Sequence, residues 1–317
     1  MNAKAMKMDE CEVPYCIIDF IDNAADMKRK FKTSDAVIFQ GGRMPDNPPR
    51  RHHIDQVYIF ASIESPLHLQ YSMGKKTWNK AINWTMTYRT DSDIPYKYGA
   101  VQPKTVNPVP LLIRTSPRNL TQIFQQKTKD VAWLVSDCVT ESFREKYVQQ
   151  LRKYIKVDIY GRCGTFHNCS KEEGIECMEQ LAKEYKFYLS FENSVCKDYI
   201  TEKVFAWFKM DIINVVRGAI TYEDILPSHT YINTEKFESI KELAQLLQHL
   251  SKDEYEYTRY LKEKSKFRIE TPHAQYQKAY CDLCKRLHNL EDHHKIYPDI
   301  REWWYEDTCQ RKPTDIN

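Results

Sequence analysis

The 317-residue sequence has no apolar run of roughly 18 residues, so it encodes no transmembrane helix. It has no G-x-G-x-x-G segment, which argues against a dinucleotide-dependent dehydrogenase. It also lacks a strong charge of either sign. Lys and Arg number 47 against 44 Asp and Glu, a net charge of +3, and the sequence pI is about 8.2. That balance leaves no footprint for nucleic acid and suits an anionic small molecule. No internal repeat or low-complexity tract interrupts the chain. Residues 1–10 are polar and lack the apolar centre of a secretory signal.

What is present begins with ten cysteines. Cys281-x-x-Cys284 has the spacing of half a zinc site, but Cys11 and Cys16 are spaced C-x4-C and make no matching half. The even count, and the crowding of Cys163, Cys169 and Cys177, favour disulfides in an oxidising compartment. Three glycosylation sequons agree, at Asn83, Asn119 and Asn168. An oxidising compartment without a targeting segment suggests a chain that lacks its first part. The 21 Tyr, 13 Phe and 6 Trp supply a sizeable core, and the length predicts one or two domains.

Short apolar runs at 15–20 and 36–39 read as buried strands, with a weakly helical stretch, 22–35, between them. Residues 43–53, rich in Pro and Arg, read as a surface loop. Residues 56–63 form a β-branched and aromatic strand that stops at Glu64-Ser65-Pro66, because proline holds the residue before it extended. Glu64, a carboxylate at the mouth of a buried strand, is a candidate acid or base. Residues 83–88 read as a further strand. Asp91-x-Asp93 after it has a divalent-metal spacing, but hard cations need more oxygen ligands than two, and no metal is predicted. Four prolines in 99–119 mark a linker between two domains.

A new pattern follows. A strand at 131–136, a helix marked by Phe143, Tyr147, Leu151 and Ile155, and a strand at 157–160 make a βαβ unit and imply a parallel sheet. Arg144 falls in the first turn of that helix. Residues 185–203 repeat the grammar as strand, polar loop and helix. Asp198 is the expected cap, and Ile200, Val204, Trp207 and Phe208 mark one helix face. Lys203 lies in or just beyond the first turn, where the helix dipole disfavours a cation unless an anion sits there. Two cations at successive helix starts predict one shared anion, and a diphosphate has a suitable size. Beyond lie a strand at 211–216 turned at Gly218, a short helix at 222–225, a short strand at 231–232 and an amphipathic helix on Ile240, Leu243, Leu247 and Leu250. A charged surface helix at 253–266 and two tryptophans, Trp303 and Trp304, that pack onto the body complete the chain. The fold class is α/β.

The stretch Phe187-Tyr188-Leu189-Ser190-Phe191-Glu192-Asn193-Ser194, followed by Lys197-Asp198-Tyr199-Ile200-Thr201-Glu202-Lys203, resembles the donor-binding motif of the α1,3-fucosyltransferases. Glu64-Ser65-Pro66, residues 83–93, the strands at 131–136 and 157–161, and Cys281-x-x-Cys284 are similar to other parts of that family, in order, over roughly residues 11–285. The resemblance implies a GT-B fold, two Rossmann-like domains facing across a cleft. The acceptor would lie on an N-terminal domain, 1–120, and GDP-fucose on a second, 121–285, with a tail, 286–317, packing back. It implies inverting transfer of fucose to an N-acetylglucosamine hydroxyl, with Glu64 as general base and no metal or other cofactor required. Arg144 and Lys203 would hold the diphosphate, Asn193, Tyr199 and Glu202 would line the donor, and Tyr188 would pack on guanine. Cys11 and Cys16 would pair with Cys281 and Cys284. A Golgi type II anchor is implied that this sequence does not contain.

Three features depart from the family pattern. Asn214 replaces the usual proline, the helix after Lys203 lacks Asn-Ala-Leu, and histidines are missing after strand 36–39. The cysteines at 163, 169, 177 and 196 resemble the subgroup acting on the innermost GlcNAc of N-glycans, and Lewis-type antennae are the other acceptor class. The rival reading is a glycan-binding protein that keeps the fold without turnover. The intact set of carried-over residues argues against it.

Overall fold

The computed structural model describes residues 6–19, 24–69, 76–104, 118–166, 169, 174–219 and 221–310. The elements run α1 (Ala24–Thr33), β1 (Ala36–Gln40), β2 (Val57–Ser62), α2 (Pro66–Leu69), β3 (Trp84–Thr87), β4 (Ile94–Pro95) and β5 (Ala100–Pro103). They continue α3 (Leu120–Gln126), β6 (Lys129–Leu134), α4 (Arg144–Leu151), β7 (Val157–Tyr160), α5 (Gly174–Glu184), β8 (Tyr185–Cys196) and α6 (Glu202–Phe208). Then come β9 (Ile213–Ala219), β10 (Tyr231–Asn233), α7 (Ile240–Leu250), α8 (Glu254–Lys264), β11 (Phe267–Glu270), α9 (Pro272–Leu287) and α10 (Ile300–Tyr305).

The first unit comprises residues 1–98 and 271–309. Its parallel sheet has the order β1-β2-β3-β4, with Ile38 opposite Ile59 and Ile59 opposite Trp84. β2 is buried along nearly its whole length, which is why it reads as an unbroken apolar run rather than an alternating one. α9 lays Tyr276, Ala279 and Leu283 against Val57, Ile59, Trp84, Met86 and Ile94. The disulfides Cys11–Cys281 and Cys16–Cys284 tie the N-terminal segment to α9. Trp304 on α10 is fully buried against the rings of Phe60 and Tyr88, as the two-tryptophan reading anticipates.

Two expectations fail in this unit. The run at 15–20 forms no strand over its described part, 15–19. Its Ile17 is 90% exposed, and Cys16 is claimed by a disulfide rather than a sheet. The unit boundary also lies elsewhere than the prolines suggest. Residues 271–309 join the first unit through α9 and its two disulfides, while β5 pairs antiparallel with β11 inside the second. Of the expected linker, residues 105–117 lie outside the described residues.

The second unit comprises residues 99–270 and 310–317. Five parallel strands run β10-β9-β8-β6-β7, with β8 at the centre. Tyr147, Val148 and Leu151 of α4, with Leu243 and Leu247 of α7 and Tyr257 and Leu261 of α8, cover one face. Leu181 and Ala182 of α5 and Trp207 of α6 cover the other. This is a doubly wound α/β unit, which places ligands at the C-terminal strand ends. The charged helix expected on the surface is α8, whose Tyr257 and Leu261 are nonetheless core residues. Gly218, read as a turn, lies within β9. Its φ of +144° and its closeness to Glu192, whose Cβ would be 2.5 Å from an added Cβ, require glycine there. Residues 222–225 make a turn rather than a helix, closed by Leu226 N–H donating to Tyr222.

Candidate active site

β8 is the scaffold of the site. It extends to Cys196, beyond the apolar run that marks it in sequence, and its pairing with β9 is irregular between Phe191 and Cys196. That irregularity carries the polar residues 192–194 of the motif. The chain then turns through Asp198, which adopts a left-handed φ of +59°. Thr201, not Asp198, is the N-cap of α6, and its hydroxyl accepts from Lys203 N–H.

Glu202 and Lys203 open α6. The Lys203 ammonium donates to the Thr201 hydroxyl at 2.9 Å and pairs with the Glu192 carboxylate at 3.0 Å. Glu202 lies 3.6 Å away with half of its side chain in solvent. Glu192 has no exposed surface, and it accepts from the Thr201 N–H at 2.8 Å and the Thr201 hydroxyl at 2.9 Å. Burial opposes the charge on Lys203, yet Glu192 and Glu202 together hold its amine above the ordinary lysine value. Burial likewise pushes the Glu192 carboxyl up, against the pull of Lys203.

Arg144 is the first residue of α4, after Phe143 in a left-handed N-cap conformation (φ +52°). Its guanidinium is 4% exposed and donates to the carbonyls of Phe191 at 2.7 Å and Asp137 at 3.2 Å. The buried Nε has no hydrogen-bond partner, and neither has the buried Oδ1 of Asn193. Unsatisfied buried polar atoms ask for an explanation, and a bound polar ligand is one. The charge of Arg144 acts on both Glu192 and Lys203, so three of these groups form one electrostatic cluster. Burial lowers the Arg144 pKa from its ordinary value, which a guanidinium withstands without losing its charge.

The remaining candidates divide. Asn193 is half-buried, and its carbonyl accepts from Ser142 N–H in the loop before α4. Tyr199 is buried beside the loop, with its N–H donating to Cys196. Tyr188 lies in the core, its ring stacked on Trp207 at 3.6 Å and its hydroxyl directed to Leu134, so that ring face is already occupied. Sequence reasoning passed over Glu192, Ser142 and Arg217. Ser142 donates its hydroxyl to the Glu192 carbonyl, and Arg217, buried at the end of β9, donates to the Ser142 carbonyl. The only signal for Glu192 was a carboxylate within an apolar strand. Asn214, the departure from proline, is buried and donates to Ser190 Oγ and the Val204 carbonyl, binding α6 to β8.

In the first unit Glu64 lies two residues beyond the end of β2. Its N–H donates to Ser62 Oγ, and the Ser62 hydroxyl donates to the Glu64 carbonyl. The side chain is half-buried at the C-terminal end of a parallel sheet. Asp91 pairs with Arg89, and Asp93 accepts from Thr85, Lys295 and Tyr297. Both carboxylates of the candidate metal spacing therefore serve internal contacts. The one cluster of potential metal ligands among the described residues, Cys16, Cys284 and His288, contains a disulfide.

Known proteins share this architecture. Residues 124–303 match the model of glycosyltransferase family 10 (fucosyltransferase) C-term, and residues 2–99 match that of the fucosyltransferase N-terminal domain. Alpha-(1,3)-fucosyltransferase C of Drosophila melanogaster is 37% identical over 290 residues, covering 86% of this chain and 65% of its own length. Glycoprotein 3-alpha-L-fucosyltransferase A of the same organism is 38% identical over 277 residues, covering 86% of this chain and 52% of its own length. The chain thus spans less than two thirds of these relatives. The crystal structure of an alpha1,3-fucosyltransferase with GDP-fucose superposes with a TM-score of 0.52 at 14% identity, over 83% of this chain and 80% of that one, which shows a shared GT-B fold. The chain belongs to glycosyltransferase family 10, the fucosyltransferases.

Proposed function

We propose that the protein transfers L-fucose from GDP-fucose, in α1,3 linkage and with inversion, to a GlcNAc of a glycoprotein glycan, the N-glycan core being the favoured acceptor. The observation that carries the reading is the cationic cluster of Arg144 and Lys203 at two helix starts, beside the unsatisfied Arg144 Nε and Asn193 Oδ1. A diphosphate needs fixed cations at this place, most of all as it leaves. The acceptor oxygen would attack the anomeric carbon from the face opposite the diphosphate. As that C–O bond forms, the bond to the phosphate oxygen breaks and its electron pair departs with GDP. The hydroxyl proton would pass to the Glu64 carboxylate. Asn193, Tyr199 and Glu202 would line the donor. The scheme requires no divalent metal. The name of the 38%-identical Drosophila relative supports a glycoprotein acceptor. Pairing of all ten cysteines supports an oxidising compartment, and the Golgi lumen, with a membrane anchor, is the proposed location.

The test is incubation with GDP-fucose and a panel of N-glycan and Lewis-type acceptors, reading product mass and linkage. Glu64→Gln should cut kcat about 100-fold or more while GDP affinity stays within about twofold. A variant that keeps more than about a tenth of the turnover would remove Glu64 from the role of base.

A further inference from the structure

Glu192 is a fully buried carboxylate, and the mechanism above does not use it. A charge in such a place is expensive unless it is paired and hydrogen-bonded. Its partners are few and specific. The Thr201 N–H and hydroxyl donate to it, and the Lys203 ammonium lies 3.0 Å away. Through its own carbonyl it also receives the Ser142 hydroxyl at 2.7 Å, two residues before Arg144. One residue earlier, the Phe191 carbonyl accepts from the Arg144 guanidinium. Glu192 therefore touches both helix starts, one through its side chain and one through its backbone. The neighbouring strand is shaped to admit it, since a Cβ at Gly218 would collide with the Glu192 side chain.

The stereochemistry of Lys203 gives this contact a purpose. An ammonium has three N–H donors. Thr201 and Glu192 hold the two short contacts, and the third neighbour, Glu202, is 3.6 Å away and half exposed. Fixing two donors against the wall of β8 aims the third outward, and a long flexible lysine gains most from such fixing.

We propose that Glu192 is a positioning residue of the donor site, holding the Lys203 ammonium at the start of α6 in register with Arg144 so that it meets the diphosphate of the donor. The inference rests on the donor-site reading given under Proposed function. Glu192 acts through Lys203 and touches no reacting atom. A glutamine in its place still accepts from Thr201, but its amide offers donors where the ammonium needs an acceptor, and Lys203 swings away.

The experiment measures GDP binding by calorimetry, and donor and acceptor KM, on the full chain. Glu192→Gln should raise the GDP Kd and the GDP-fucose KM about tenfold and leave the acceptor KM within about twofold. In a Lys203→Ala background the same change should alter GDP affinity by less than about twofold, because the route to the donor is already cut. The proposal is overturned if Glu192→Gln alone leaves GDP affinity unchanged, or if it costs the same factor with and without Lys203. If Glu192→Gln does not give a cooperative melt, Thr201→Val interrogates the same clamp. It should weaken GDP about fivefold, and unchanged affinity overturns the proposal. A wild-type chain that binds no GDP overturns the donor-site reading itself, and this inference with it.

Discussion

At the scale of residues, the site is a set of buried charges that satisfy one another before any ligand arrives. Lys203 illustrates the cost of breaking the set. Lys203→Ala removes a cation from the proposed donor site and leaves Glu192 buried without its ammonium. GDP affinity should fall about 100-fold, and stability by about 3 kcal/mol, since an uncompensated buried charge is more costly than the intact pair. Combining it with Glu192→Gln should restore much of the stability and none of the affinity, as read by denaturant titration and calorimetry. Arg144 and Lys203 were legible in the sequence because a cation in a first helical turn runs against the dipole. Glu192 was not, because its partner is Lys203, eleven residues away across a turn whose geometry no spacing rule encodes. Asn83 shows the converse. Its sequon is plain in sequence, yet its side chain accepts from Arg51 and the Tyr58 N–H and donates to the Lys295 carbonyl.

At the scale of elements, the loops after β6 and β7 decide where Arg144 sits. Cys138 and Cys163 join them in a disulfide spanning 25 residues, Arg162 donates to the Ser136 carbonyl, and the Asp137 carbonyl accepts from Arg144. Replacing both cysteines by serine should lower stability by about 3 kcal/mol through the loop-closure term alone. GDP affinity should weaken several-fold, roughly as expected for one loosened charge-assisted hydrogen bond. A paired loss of stability with unchanged GDP binding would show that the staple supports the fold and not the site. The central strands and most helices were legible from period and apolar runs, since a parallel sheet buried on both faces writes continuous hydrophobic segments. The start of α6 was misread. Asp198 and Thr201 are both capping residues by type, and the left-handed turn at Asp198 decided between them.

At the scale of the whole molecule, global stability carries the signature of lysines buried under the second unit's sheet. The Lys127 amine donates to the carbonyls of Ala182 and Tyr185. Burial, with the positive charge of Lys186 nearby, lowers its pKa to about 7. Lys264 donates to the Met210 and Ile212 carbonyls, and burial lowers it in the same direction. Below about pH 7 Lys127 is protonated in both folded and unfolded chains, and the full cost of burying that charge is present. Between about pH 7 and 10 the unfolded chain holds the proton and the folded chain does not, so stability rises with pH. Tm should therefore increase from pH 7 to 9, and Lys127→Met should flatten part of that slope. A flat or falling wild-type profile would contradict the assignment. Among the described residues, which include all ten cysteines, no free thiol is present to confound the alkaline arm by disulfide exchange.

The sequence by itself determined the α/β class, the parallel strands, the pairing of cysteines as disulfides and the two cations, because each is written in local period, residue type or a long specific motif. Only the tertiary structure decided that residues 271–309 return to the first unit, that Tyr188 stacks on Trp207, and that Asp91 and Asp93 answer Arg89, Lys295 and Tyr297. It also decided that Glu192 joins the two cationic helix starts. These are contacts between residues far apart in the chain or across a turn. Burial there sets which polar group each charge must find, and no local pattern carries that choice.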